Sequence, residues 1–97
     1  MISIRFYNRG SETLLAACDE ELLEKTFQGN GMKITVSKNF YCSEIVTEET
    51  FRSFTAKATY LNLVGTRTIN IAKDLGLVSD DGIIQIGDVT HAQVVRM

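Results

Sequence analysis

The chain opens on strict alternation: Ile2, Ile4 and Phe6 are apolar, with Ser3, Arg5 and Tyr7 between them. A period of two sends successive side chains to opposite faces of a strand. After the turn residues Asn8-Arg9-Gly10-Ser11, the run Thr13-Leu14-Leu15-Ala16-Ala17-Cys18 reads as a second strand, so the opening segment predicts a hairpin. Asp19 then stands as the cap of a short amphipathic helix over residues 20–27, with Glu20 and Glu21 at the positive end of its dipole. Gly29-Asn30-Gly31 breaks that helix. Met32, Ile34 and Val36 alternate with Lys33, Thr35 and Ser37 as a third strand, and Ser37-Lys38-Asn39 turns the chain.

The pattern changes period after residue 46. Phe51, Phe54, Ala58 and Leu61 recur at helical spacing, Thr47 is placed as the cap, Val46 and Phe51 hold the two staple positions, and Glu48 and Glu49 fill the first turn. This predicts a helix that runs from Thr47 to a stop near Gly65. Thr66 then caps a further helix carrying Ile69, Ile71, Ala72 and Leu75 and closed by Gly76, so that two helices meet over Asn62–Arg67. Ser79-Asp80-Asp81-Gly82 is a turn, and residues 83–86 and 92–96 read as strands. The sum is one small α+β domain over residues 1–97, with a mainly antiparallel sheet of about five strands and about three helices.

Composition narrows the class. Ninety-seven residues at 44% hydrophobic bury one modest core. The formal net charge of −2 supplies no bulk attraction for nucleic acid or anionic lipid, so any RNA contact must come from a local patch. Cys18 and Cys42 form no Cys-x-x-Cys, which points away from a zinc framework and fits a reducing compartment. No run of roughly 18 apolar residues occurs and the N-terminus reads as a strand, so the expectation is a cytoplasmic protein with no membrane partner.

Two segments carry the candidate chemistry. Asn62, Gly65, Thr66 and Arg67 would place free N–H groups, a hydroxyl and a guanidinium at one helix start, an arrangement that suits an anion. The plainer alternative is that Gly65 and Thr66 only end one helix and begin the next. The glycines and the Lys-Ser/Thr of a nucleotide-binding P-loop are missing. In the last strand the only histidine, His91, shares a face with Gln93, and Asp88 lies three residues before it. A lone imidazole without clustered ligands more often fills a structural place than a metal site, and no cofactor or metal is expected. Cys18-Asp19, at a strand-to-helix junction, is a secondary candidate, since a helix start lowers a thiol pKa. The acidic pairs Glu20-Glu21, Glu48-Glu49 and Asp80-Asp81 are explained by helix dipoles and turns, and Tyr7, Phe40, Tyr41 and Tyr60 by packing.

Taken together, Leu15-Ala16-Ala17-Cys18-Asp19, Glu21-Leu22-Leu23, Lys25-Thr26-Phe27, Phe40-Tyr41, Asn62-Leu63-Val64-Gly65-x-Arg67 and His91-Ala92-Gln93 resemble the archaeal proteins grouped as domain of unknown function 424. The resemblance runs over nearly the whole chain in the same order. Similar members carry Pro before His-Ala-Gln, where Thr90 stands here. The resemblance implies recurrent polar positions at Cys18, Asp19, Lys25, Asn62, Arg67, His91 and Gln93, and a ribosome- or translation-associated role. The leading expectation is a binding module for RNA or a ribonucleoprotein, using Asn62, Gly65, Thr66, Arg67, His91 and Gln93. The alternatives are a small enzyme using Cys18 or His91, and a protein-interaction or homodimer module.

Overall fold

In a computed structural model, residues 1–96 are described. The elements in chain order are β1 (Ile2–Arg9), β2 (Glu12–Asp19), β3 (Thr26–Gly29), β4 (Met32–Thr35), α1 (Lys38–Tyr41), β5 (Glu44–Val46), α2 (Glu48–Phe54), β6 (Tyr60–Val64), α3 (Thr66–Asp74), β7 (Ile83–Ile86) and β8 (Val89–Val95). β1 and β2 form the hairpin that their alternation predicts, with Ile4 opposite Ala17 and Phe6 opposite Leu15. The main sheet has six strands in the order β5-β1-β2-β6-β8-β7, and β3 and β4 make a separate two-stranded ribbon. β2 pairs β6 in parallel, so the sheet is mixed where a mainly antiparallel one of about five strands was expected.

Both faces of the sheet are covered, unequally. On the first face α2 and α3 bury Ile2, Ile4, Leu15, Ala17, Leu61, Leu63, Ala92 and Val94 with Phe51, Ile69 and Ala72. On the second, α1 and the β3–β4 ribbon cover Ala16, Cys18, Val64, Ile86 and Val89 with Tyr41, Val36, Phe27 and Ile34. Registers across the sheet set the second face out in rows. Tyr7, Leu14, Tyr60 and Val95 form one row; Arg5, Ala16, Asn62 and Gln93 the next; Ser3, Cys18, Val64, His91 and Ile84 the third. Neither α1 nor the ribbon reaches across the outer part of these rows, where Tyr60, Gln93 and Val95 are exposed.

Several sequence expectations change. Residues 20–27 are not a helix: Glu20–Leu22 make one 3-10 turn, Glu24 has a positive φ of 67°, and Thr26 onward joins the ribbon. A short helix has little stability of its own. Here the two-residue turn Asn30-Gly31, with φ of 54° and 76°, closes a tight hairpin that sets Phe27 against Ile34. The helix from Thr47 ends at Phe54, and after a 3-10 turn Tyr60–Val64 is a central strand. Phe51, Ala58 and Leu61 keep the helical spacing because all three reach one core, yet they arrive from different elements. The junction at Asn62–Arg67 therefore joins a strand to a helix, and Thr66 is the first residue of α3 with Gly65 as its cap position. At Ser37-Lys38-Asn39, where a plain turn was expected, Ser37 Oγ instead accepts the Asn39 N–H at 3.1 Å and starts α1, while the expected Thr47 cap holds, its Oγ1 accepting the Thr50 N–H at 3.1 Å.

Candidate functional site

The start of α3 already holds an anion, and it belongs to the chain. Asp19, at the end of β2 and 4% exposed, accepts the Thr68 N–H at 2.9 Å and the Thr68 hydroxyl at 2.8 Å through Oδ1, and the Arg67 N–H at 3.2 Å through Oδ2. Gly65 fits this cap closely, since a Cβ there would sit 2.5 Å from the Asp19 carboxyl carbon and its φ is +108°. Asp19 therefore caps α3, not the short helix expected to follow it. The Arg67 guanidinium donates to Glu21 at 2.7 Å and lies 3.9 Å from Glu48. That bond holds the Glu21 carboxyl down at about 2. Gly65, Thr66 and Arg67 thus do not supply the free anion site expected of them.

Asn62, His91 and Gln93 do converge. Asn62 and Gln93 are cross-strand partners on β6 and β8, and His91 stands two residues along the same face. Tyr41 reaches them from α1, which hydroxyl groups of β1 fasten to the sheet. The Ser3 hydroxyl donates to the Tyr41 carbonyl at 2.8 Å, and the Tyr7 hydroxyl donates to the Phe40 carbonyl at 2.8 Å. The Tyr7 and Phe40 rings stack at 5.2 Å. So anchored, the Tyr41 hydroxyl donates to Asn62 Oδ1 at 2.7 Å, and His91 Nε2 lies 3.2 Å from the same oxygen. An amide oxygen only accepts, so His91 carries its proton on Nε2, and Nδ1 is left as a lone-pair acceptor. Burial pushes the His91 pKa down, keeping the ring neutral, and pushes the Tyr41 hydroxyl up to about 12, keeping it a donor. Asn62, not Asp88, orients the imidazole.

These side chains line a cleft of about 600 Å³ between the ribbon and the sheet, walled by Met32, Ile34, Ile84 and Ile86 with Lys33 beside them. The Gln93 amide is exposed and without a hydrogen-bond partner among the described residues. A second cleft of about 340 Å³ shares Asn62 and Gln93 and continues to Leu14 and Tyr60. A third of about 400 Å³ shares Leu14 and Tyr60 and continues to Tyr7 and Arg9. The result is one track across the second face, from His91 to Arg9. Arg52 pairs with Asp74, Arg67 with Glu21 and Glu48, and Lys73 with Asp80. Arg5, Arg9 and Lys33, on or beside the track, have no carboxylate partner among the described residues. Glu12 is the carboxylate that borders the track, and it accepts the Thr59 hydroxyl at 3.1 Å.

The secondary candidates are not part of this site's polar floor. Cys18 is fully buried, and desolvation with the neighbouring Asp19 charge pushes its thiol up to about 12, the opposite of an activated nucleophile. Lys25 is exposed and enters the structure through its backbone, accepting the Val36 N–H at 2.9 Å. Thr66 lines a separate cavity of about 280 Å³ with Asn70 and Thr90. Among the described residues no three His, Cys, Asp or Glu side chains gather as a metal site, and no helix is long and apolar enough to cross a membrane. The residues that sequence reasoning passed over are Tyr41, read as packing, and the walls Met32, Ile34 and Ile84. Their only signal was apolar alternation, which does not tell a core strand from a cleft wall.

No curated protein matches the chain. Among solved structures, the fold is similar to that of an uncharacterized conserved protein from Methanopyrus kandleri, with a TM-score of 0.77 at 22% identity, covering 99% of this chain and 93% of that one. The family model described as "Protein of unknown function (DUF424)" matches residues 7–97, and the chain belongs to that family.

Proposed function

We propose that this protein is a small RNA-binding module and that the track from His91 to Arg9 on the second face of the sheet is its binding surface. The observation that carries the reading is the set of cations without carboxylate partners, Arg5, Arg9 and Lys33, gathered along the open track of a net-acidic chain. Arg52, Arg67 and Lys73 on the helix-covered side are engaged by carboxylates, whereas Arg5, Arg9 and Lys33 along the open track are not. Single-stranded nucleic acid needs such a pairing of phosphate-neutralising cations with faces on which bases stack. Tyr60, 40% exposed, lies midway along the track, and the Arg5 guanidinium sits 5.2 Å over the Tyr7 ring. The cleft at the far end has apolar walls for a base and a polar floor for its edge. A sheet that presents aromatic and basic side chains on its uncovered part supports RNA over a protein partner.

The test is fluorescence anisotropy of unstructured RNA with the full chain over a salt series. Affinity should fall steeply with salt, and Arg9→Ala and Lys33→Ala should each weaken binding and flatten the salt slope by about one. Arg67→Ala, whose guanidinium is engaged by Glu21, should bind as the parent does. Binding that is insensitive to salt, or weakened by Arg67→Ala and not by the track variants, would overturn the proposal.

A further inference from the structure

Resting on that reading, we infer that the His91 cleft selects bases that carry an exocyclic amino group beside an unprotonated ring nitrogen on the Watson–Crick edge, adenine and cytosine, over bases that carry a carbonyl beside a protonated ring nitrogen there, guanine and uracil. The argument is about protons. The Tyr41 hydroxyl and His91 Nε2 both converge on Asn62 Oδ1, at 2.7 Å and 3.2 Å, and this fixes the imidazole as an Nε2–H tautomer. Its other nitrogen, Nδ1, has no partner among the described residues and can only accept. Gln93, next to His91 on the same face, offers one acceptor and a donor side by side. An amide in that state forms a bidentate pair with an amino group and its neighbouring ring nitrogen, as Gln does with adenine. The amino group has a second N–H, and His91 Nδ1 is an acceptor for it. A guanine or uracil carbonyl in the same place would set an oxygen lone pair against the Nδ1 lone pair, with nothing to share between them.

The arrangement is held from outside the cleft. α1 is pinned through Ser3 and Tyr7, and Tyr41 is 4% exposed, so the proton on the Tyr41 hydroxyl has one partner to go to. The selectivity therefore belongs to Tyr41 and Asn62 as positioning residues, acting through His91. Around the imidazole, the facing groups are Asn62 and Val64 on β6, Ile84 on β7, Tyr41 on α1 and Lys33 on β4, with no carboxylate among the cleft residues to charge the ring.

The experiment measures anisotropy with labelled oligo(A), oligo(C), oligo(U) and oligo(inosine), together with an oligonucleotide of purine riboside, which lacks the six-position amino group. Oligo(A) and oligo(C) should bind on the order of tenfold more tightly than oligo(U) and oligo(inosine), a ratio within the range of one bidentate base contact. Purine riboside should lose that advantage. Tyr41→Phe and Gln93→Ala should each shrink the ratio, weakening oligo(A) and oligo(C) binding more than oligo(U) binding, with the salt slope kept. Equal affinity for all oligonucleotides, with a normal salt slope, would overturn the base preference and leave the RNA-binding reading standing. A preference for oligo(U) or oligo(inosine) would also overturn it, since it would require the opposite imidazole tautomer. Binding to none of them would overturn both.

Discussion

Replacing Asp19 with Ala tests whether the start of α3 is an internal cap or a vacant anion site. The carboxylate accepts from two backbone N–H groups and one hydroxyl, at 2.9 Å, 3.2 Å and 2.8 Å, and Thr68 at its centre is fully buried. A hydrogen bond to a charged group contributes about 1.5–3 kcal/mol, and a lost N-cap alone costs about 0.5–2 kcal/mol. Arg67 is only partly buried, so water can replace the carboxylate at its N–H. The Thr68 donors are left without an acceptor unless a water enters the space that the side chain vacates. The net cost comes to about 3 kcal/mol, a large share of the roughly 5–15 kcal/mol that holds a domain together. For a domain of this size that lowers the melting midpoint by about 12–24 °C. Asp19→Asn, which keeps an oxygen at the Oδ1 position, should lose about half as much. Urea unfolding followed by far-UV circular dichroism gives both numbers, with the midpoint moving and the slope constant. A loss below about 0.5 kcal/mol for Asp19→Ala would refute the cap and return the helix start to the list of open anion sites.

Other outcomes follow from the same contacts. Gly65→Ala should destabilise by about 2–3 kcal/mol in the same urea assay, because φ of +108° is hostile to an L side chain and the added Cβ meets the Asp19 carboxylate. Thr90→Val should stabilise the protein by about 1 kcal/mol, since the Thr90 hydroxyl is buried with no partner among the described residues; a destabilised variant would mean that the hydroxyl is bonded. In a thiol titration of the native protein near neutral pH, half-buried Cys42 should react and Cys18 should not until the chain unfolds. Because the folded Cys18 thiol holds its proton up to about 12 against an ordinary 9.0, stability should decline as pH rises above about 9, and Cys18→Ala should remove that part of the decline. For His91 the sign is reversed. Its folded pKa lies below 6.5, so the unfolded chain binds the proton first and stability should fall as pH drops through that value, less so in His91→Gln.

Much of the local structure was legible in the sequence because it is decided by neighbours along the chain. The β1–β2 hairpin, the Thr47 cap, the extent of α3 and the strand at 83–86 each depend on period, caps and turn residues within a few positions. The alternation in β8 likewise put His91 and Gln93 on one face. What local pattern left undecided was the identity of segments whose burial is set from elsewhere. Tyr60–Val64 follows a helical series and is still a strand, because β2 and β8 flank it and satisfy its backbone on both sides. Thr26–Gly29 is a strand because Met32–Thr35 lies beside it.

The candidate site divides the same way. Sequence singled out Asn62, Arg67, His91 and Gln93 as polar residues in need of a reason, and only tertiary structure separated them. Arg67 is matched with Glu21, 46 positions away, and the helix start is closed by Asp19, 48 and 49 positions away, pairings that no spacing along the chain encodes. Asn62 instead meets His91 across a strand pair and Tyr41 from a short helix laid over the sheet. The chemistry of each side chain is a property of the sequence. Which groups are neutralised and which remain available to a ligand follows from the pairing of strands, because that pairing decides where charges and hydrogen bonds find their partners.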